Sequence, residues 1–80
     1  MTREEIIEKA QSVLAEEFET EREAMKDEAA LYDTLQLDSI ARVDFIAVID
    51  FTFKVRIPVE ILPEIKTFAQ LYDYLESHIN

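Results

Sequence analysis

The sequence holds no cysteine, which rules out disulfides, thiolate metal sites and cysteine nucleophiles, and nothing in it points to an oxidising compartment. Glycine is absent too, so phosphate-cradling loops and dinucleotide turns, which need backbone without a Cβ, are excluded. Calcium loops of the EF-hand kind fail for the same reason. Bases are scarce: 8 Lys and Arg stand against 18 Asp and Glu, a net charge of −10. Such a field repels phosphate backbones and anionic membranes and attracts basic protein surfaces, so neither nucleic acid nor membrane is an expected partner. No stretch approaches the roughly 20 apolar residues that span a bilayer. Glu4 and Glu5 stand where a secretory signal would carry basic residues. A soluble, cytoplasmic protein is expected.

What is present is a globular mixture, 49% apolar and 32% charged, too hydrophobic for a disordered chain. Its 80 residues suffice for one domain, 1–80, with a single modest core. The charge is uneven. Residues 1 to 40 carry 4 basic and 12 acidic groups, residues 41 to 80 carry 4 and 6.

Thr2-Arg3-Glu4-Glu5 fits a capping box, and Ile6, Ile7, Ala10, Val13, Leu14 and Phe18 follow at helical spacing. This predicts a helix over roughly 3 to 18, with Glu5 and Lys9 placed to pair on its solvent side. From Glu19 to Asp38 the pattern weakens, predicting a partly ordered connection pinned by Leu31, Leu35 and Leu37, with room for a helical turn. Asp38 is a good N-cap, and Ile40, Val43, Ile46, Ala47, Ile49 and Phe53 read as one apolar side of a helix from Ser39 to about Phe53. Phe51 to Ile57 alternates as a strand would, yet no partner strand is visible, so Lys54 to Ile57 is expected to run extended into Pro58. Val59 to Leu62, between two prolines, has room for one turn. Thr67-Phe68-Ala69-Gln70 is a second capping box, opening a helix over roughly 68 to 79. The fold class expected is all-α: a small bundle of three main helices plus one short helix.

Few residues promise chemistry. His78 is the only histidine and lies near the end of the last predicted helix, a poor place for a catalytic triad. The carboxylates fall on polar helix faces, away from apolar surroundings that would raise a pKa for acid catalysis, and no ligand spacing supports a metal site. An enzyme is therefore not expected. Ser39 differs by position: in the first turn of a helix, after an acidic cap, its hydroxyl faces solvent. Lacking a base of its own, it is a poor nucleophile but a good acceptor for an enzyme that brings one. A phosphodiester there would also gain from the helix N-terminus. Position alone favours the simpler reading, a serine that merely helps cap the helix.

Leu37-Asp38-Ser39-Ile40, followed by Val43-Asp44-Phe45, Ile57-Pro58 and the helix opened by Thr67, resembles the acyl carrier protein family over essentially the whole chain. The resemblance implies an acyl-carrier bundle with 4′-phosphopantetheine, drawn from coenzyme A, attached to Ser39 by a phosphopantetheinyl transferase. The arm's thiol would then carry acyl groups as thioesters. Implied partners are acyl-processing enzymes such as ketosynthases, acyltransferases or ligases, in fatty acid, lipid or dedicated biosynthesis, served by a monomer. Phe45, Ile46, Ile49, Ile57, Ile65 and Leu71 would line an acyl pocket, and Asp38, Ile40, Asp44, Ala47, Asp50 and Phe51 a docking face. The chain departs from the family pattern in two ways. A glycine usual shortly before the aspartate is replaced by Gln36 or Leu37. Ala41, Arg42, Phe51 and Thr52 thin the acidity of the docking helix, so docking with more apolar contact and less steering is expected. The alternative reading is a carrier-like interaction module that is never modified.

Overall fold

Thr2 starts the first helix as its sequence predicts. Its hydroxyl accepts from the Glu5 amide at 3.2 Å while the Glu5 carboxylate accepts from the Thr2 amide at 2.8 Å, serving two donors that a helix start leaves without partners. In the computed structural model, which describes residues 1–79, helix α1 spans Arg3–Glu17. Ile6, Ala10 and Leu14 are buried, and Ile7, Val13 and Phe18 pack partly against the core. Because the Glu5 carboxylate is committed to the cap, the expected pair with Lys9 does not form among the described residues.

The connection from Glu19 to Asp38 is more ordered than its sequence promises. It holds a 3₁₀ turn at Arg22–Ala24 and a short helix, α2, at Leu31–Leu35. Leu31, Leu35 and Leu37 are buried as expected, and Met25 joins them. The order comes from partners remote in sequence. The Leu31 amide donates to the Lys66 carbonyl at 2.9 Å and the Ala69 amide to the Asp27 carbonyl at 3.0 Å, flanking an isolated antiparallel bridge between Ala30 and Thr67. The Gln11 side-chain amide donates to the Met25 carbonyl and to the Tyr72 hydroxyl, each at 3.3 Å.

Helix α3 covers Ser39–Phe53, the predicted span, and its buried side is only in part the one read from spacing. Phe45, Ile49 and Phe53 face the core. Of the residues that spacing put on the apolar side, Ile49 and Phe53 are buried and Ile46 is half-buried, whereas Val43 is 62% exposed and so are Ile40, at 76%, and Ala47, the two that the resemblance also implied for an outward face. α3 is apolar on most of its circumference, so several three-and-four spacings coexist and packing selects among them. One contact on the buried side is aromatic: Phe45 meets Phe18 at the end of α1, ring centroids 6.3 Å apart and tilted by 47°.

After α3 the chain runs without regular structure, and the alternation in its sequence becomes alternating burial. Val55 and Ile57 point in; Lys54 and Arg56 point out. The expected turn between the prolines forms, the Ile61 and Leu62 amides donating to the Pro58 carbonyl at 3.0 and 3.2 Å, and a 3₁₀ turn at Leu62–Glu64 follows that takes Pro63 into its first positions, where a missing amide costs nothing. Helix α4 spans Phe68–His78, capped by the Thr67 hydroxyl accepting from the Gln70 amide at 3.2 Å. The reciprocal arm of this box reaches one residue further back than expected: the Gln70 side chain accepts from the Lys66 amide at 2.7 Å. α1 packs against both α3 and α4, and the bundle closes over the described residues without a strand.

Candidate functional site: the head of helix α3

Three residues set up the start of α3. Gln36 ends α2 in the left-handed region, φ 54° and ψ 54°, and turns the chain outward. Leu37 anchors that turn, with its side chain buried and its amide donating to the Tyr32 carbonyl at 2.9 Å. Asp38 then caps the helix, one carboxylate oxygen accepting from the Ile40 amide at 3.0 Å and the Ala41 amide at 2.7 Å. Ser39 follows as the first helical residue and is exposed. The capping role that position alone allowed for Ser39 thus belongs to Asp38. The serine hydroxyl stands at the positive end of a 15-residue helix, held from behind by a buried leucine and a doubly bonded cap.

One turn on, Arg42 lies on the same helix side as Ser39 by the three-residue rule. Its guanidinium carbon sits 5.1 Å from the centroid of the Tyr32 ring. The Arg42 Nε and the Tyr32 hydroxyl are both buried and lack a hydrogen-bond partner. This cation is the feature that sequence reasoning passed over. It was counted there only as a charge out of keeping with an acidic helix.

Of the residues expected on a docking face, Ile40, Asp44, Ala47 and Phe51 are exposed on α3. The other two have local duties. Asp38 is the cap, and the half-buried Asp50 accepts from Arg56 at 3.2 Å. Of the residues expected to line an acyl pocket, Phe45, Ile49, Ile57, Ile65 and Leu71 are buried in the one core cluster, and Ile46 packs at its edge. Ile46 and the buried Ile57 lie at the floor of a groove of about 400 Å³ between α3 and the segment 56–59, walled by Val43, Ala47, Asp50, Arg56, Pro58 and Val59.

The titratable groups show no arrangement for acid catalysis. The carboxylates whose pKa departs from the ordinary range go down: Glu5 through the bond from the Thr2 amide, Glu8 through the bond from Arg22 at 2.8 Å. His78 is exposed and stacks on Tyr74 at 4.0 Å between centroids. Its Nδ1 lies 2.8 Å from the Tyr74 carbonyl; a carbonyl only accepts, so Nδ1 carries the proton. Among the described residues no three His, Asp or Glu side chains gather as metal ligands would. No helix among them is long and apolar enough to cross a membrane.

A small acidic helical bundle that offers an exposed serine at a capped helix head has the form of a prosthetic-group carrier. Comparison with known proteins gives the family: the phosphopantetheine attachment site profile matches residues 8–75, and the chain belongs to that family. It is similar to the acyl carrier protein of Cyanidioschyzon merolae, 30% identical over 78 residues that make up 98% of this chain and 86% of the relative. It is similar also to the acyl carrier protein of Lactobacillus johnsonii, 29% identical over 80 residues spanning both chains completely. The family's cofactor is 4′-phosphopantetheine.

Proposed function

We infer that this protein is a cytoplasmic, monomeric acyl carrier bearing 4′-phosphopantetheine on Ser39. The observation that carries this reading is the exposed Ser39 at the first position of α3, with the cap supplied by Asp38, so that the hydroxyl serves no structural bond of the helix start. The residues fit the group: a phosphodiester on the exposed Ser39 oxygen lies at the N-terminus of a 15-residue helix. When attached, the arm supplies a thiol to a chain that has no cysteine of its own.

In the modification, Ser39 exchanges its O–H bond for an O–P bond. The proton goes to a base on the phosphopantetheinyl transferase, and the nucleotide part of coenzyme A leaves. Acyl-processing enzymes, among them ketosynthases, acyltransferases or ligases of fatty acid, lipid or dedicated biosynthesis, then meet the carrier at α3. The acyl chain is sheltered by Phe45, Ile46, Ile49, Ile57, Ile65 and Leu71, entering along the groove floored by Ile46 and Ile57. Incubation with coenzyme A and a broad-specificity transferase tests the assignment by intact mass. The expected result is a gain of one phosphopantetheine that Ser39→Ala abolishes. A chain that stays unmodified while a control carrier is fully converted is instead a carrier-like interaction module.

A further inference from the structure

The −10 charge of this molecule avoids the helix that bears Ser39. Residues 38 to 58 hold three acids, Asp38, Asp44 and Asp50, against three bases, Arg42, Lys54 and Arg56. This stretch is neutral, and the whole net charge of −10 lies on the remainder. The structure reduces the available charge further. Asp38 is spent on two backbone amides, and Asp50 is paired with Arg56. Arg42 is half-buried over Tyr32, and the Lys54 ammonium sits 5.7 Å from the Phe51 ring centroid. Among the described residues, Asp44 is left as the one α3 carboxylate with neither a capping role nor an ion pair.

In place of charge this surface offers apolar area. Ile40, Val43, Phe51 and Val59 are 76%, 62%, 74% and 58% exposed, and all four stand on α3 or just beyond it. Val43, Phe51 and Val59 border two grooves that share Ala47: that of about 400 Å³ toward Pro58 and Val59, where the Asp50–Arg56 pair is the only charge, and one of about 350 Å³ toward Val13 and Val48, with Phe51 on its wall and Glu17 at its edge. A concave, apolar, rimmed surface of this kind seats side-chain anchors from a partner.

The position of Ser39 says which partner. A catalyst that reaches its oxygen must cover the first turns of α3, so the surface beside it is where the modifying enzyme lies. A second copy is disfavoured, because each brings a net charge of −10 to the encounter. We propose that α3 docks the transferase that modifies Ser39 through an apolar, near-neutral surface of that enzyme, whose side chains fill the grooves on either side of Ala47. This rests on the carrier reading above. Recognition here discriminates against basic docking surfaces, which find no acidic row on α3 to meet.

Two phosphopantetheinyl transferases serve as probes with coenzyme A, one with a basic carrier-facing surface and one with an apolar surface, the readout being the rate of mass gain at Ser39. The apolar-faced enzyme is expected to show the lower KM, by about tenfold. That KM is expected to change by less than about twofold between roughly 50 and 300 mM salt. Phe51→Glu, at an exposed position that leaves the helix intact by circular dichroism, raises it about tenfold. Ala41→Asp, Phe51→Glu and Thr52→Glu together move the preference to the basic-faced enzyme. A steep salt dependence of the unaltered protein, a preference for the basic-faced enzyme, or indifference to Phe51→Glu overturns the inference and leaves the carrier reading standing. So does a dimer, seen by light scattering at assay concentration, that Phe51→Glu dissolves. Absence of any mass gain with either enzyme removes both.

Discussion

Ser39 and Asp38 are adjacent, and the account assigns them separable work. Asp38→Ala removes the acceptor for two amides and is expected to cost about 1 kcal/mol in urea unfolding with an unchanged m-value. Ser39→Ala abolishes modification yet shifts stability by no more than about 0.5 kcal/mol, as an exposed substitution outside the cap should. Gln36 shows what a sequence without glycine costs. The glycine that the family pattern leads one to look for, and that Gln36 or Leu37 replaces, corresponds to a left-handed residue, and the structure puts Gln36 there at φ 54°. Glu19 and Lys54, at φ 51° and 60°, close α1 and α3 in the same way. Gln36→Gly is therefore expected to raise stability by about 0.5–1 kcal/mol, read from the urea midpoint. The residue identity was visible in the sequence; its backbone geometry was not, because nothing local distinguishes Gln36 from Leu37 until the burial of Leu37 settles the register.

At the scale of the elements, what was legible had a local physical cause. The capping residues Thr2, Asp38 and Thr67 sit next to the helices they start, so all three main helices were readable to within a residue or so. What was not legible depended on remote partners. α2 and the 3₁₀ turn before it are held by Lys66, Asp27–Ala69 and Gln11 contacts that no window of sequence contains. The buried side of α3 was only partly readable because its apolar residues ring the helix: spacing gave Ile49 and Phe53, while Phe45, which meets Phe18, takes the place of Ile40 and Val43 in the core. One pair of variants separates the two stripes. Phe45→Ala is expected to cost about 3–5 kcal/mol. Val43→Ala, on the stripe first read as core, is expected to cost no more than about 0.5 kcal/mol. Equal losses in denaturant titrations of the two would contradict the packing described.

For the molecule as a whole, charge is the governing term. A net −10 on 80 residues opposes the compact state, so added salt at neutral pH is expected to raise Tm by screening that repulsion. Acid acts in the other direction through particular groups. Glu5 and Glu8 have lowered pKa values in the folded protein, so the stability they add is present above the ordinary glutamate range and is lost as pH falls through their lowered values. Glu8→Gln is therefore expected to flatten the fall of Tm in that acidic window and to leave the salt response at neutral pH in place. The same charge distribution frames function: acids cover the outside of α1 and the connection after it, while α3 carries a net charge of only −1 and residues 38 to 58 sum to zero, with Ser39 at the head of that stretch.

The central claim is that Ser39 is where this chain carries its prosthetic group. The most direct measurement is the intact mass of the protein isolated from the cells that make it, followed by fragmentation to place any added mass on a residue. The account predicts one phosphopantetheine on Ser39, in part extended by an acyl group. A protein recovered wholly unmodified, or modified at another residue, would contradict it.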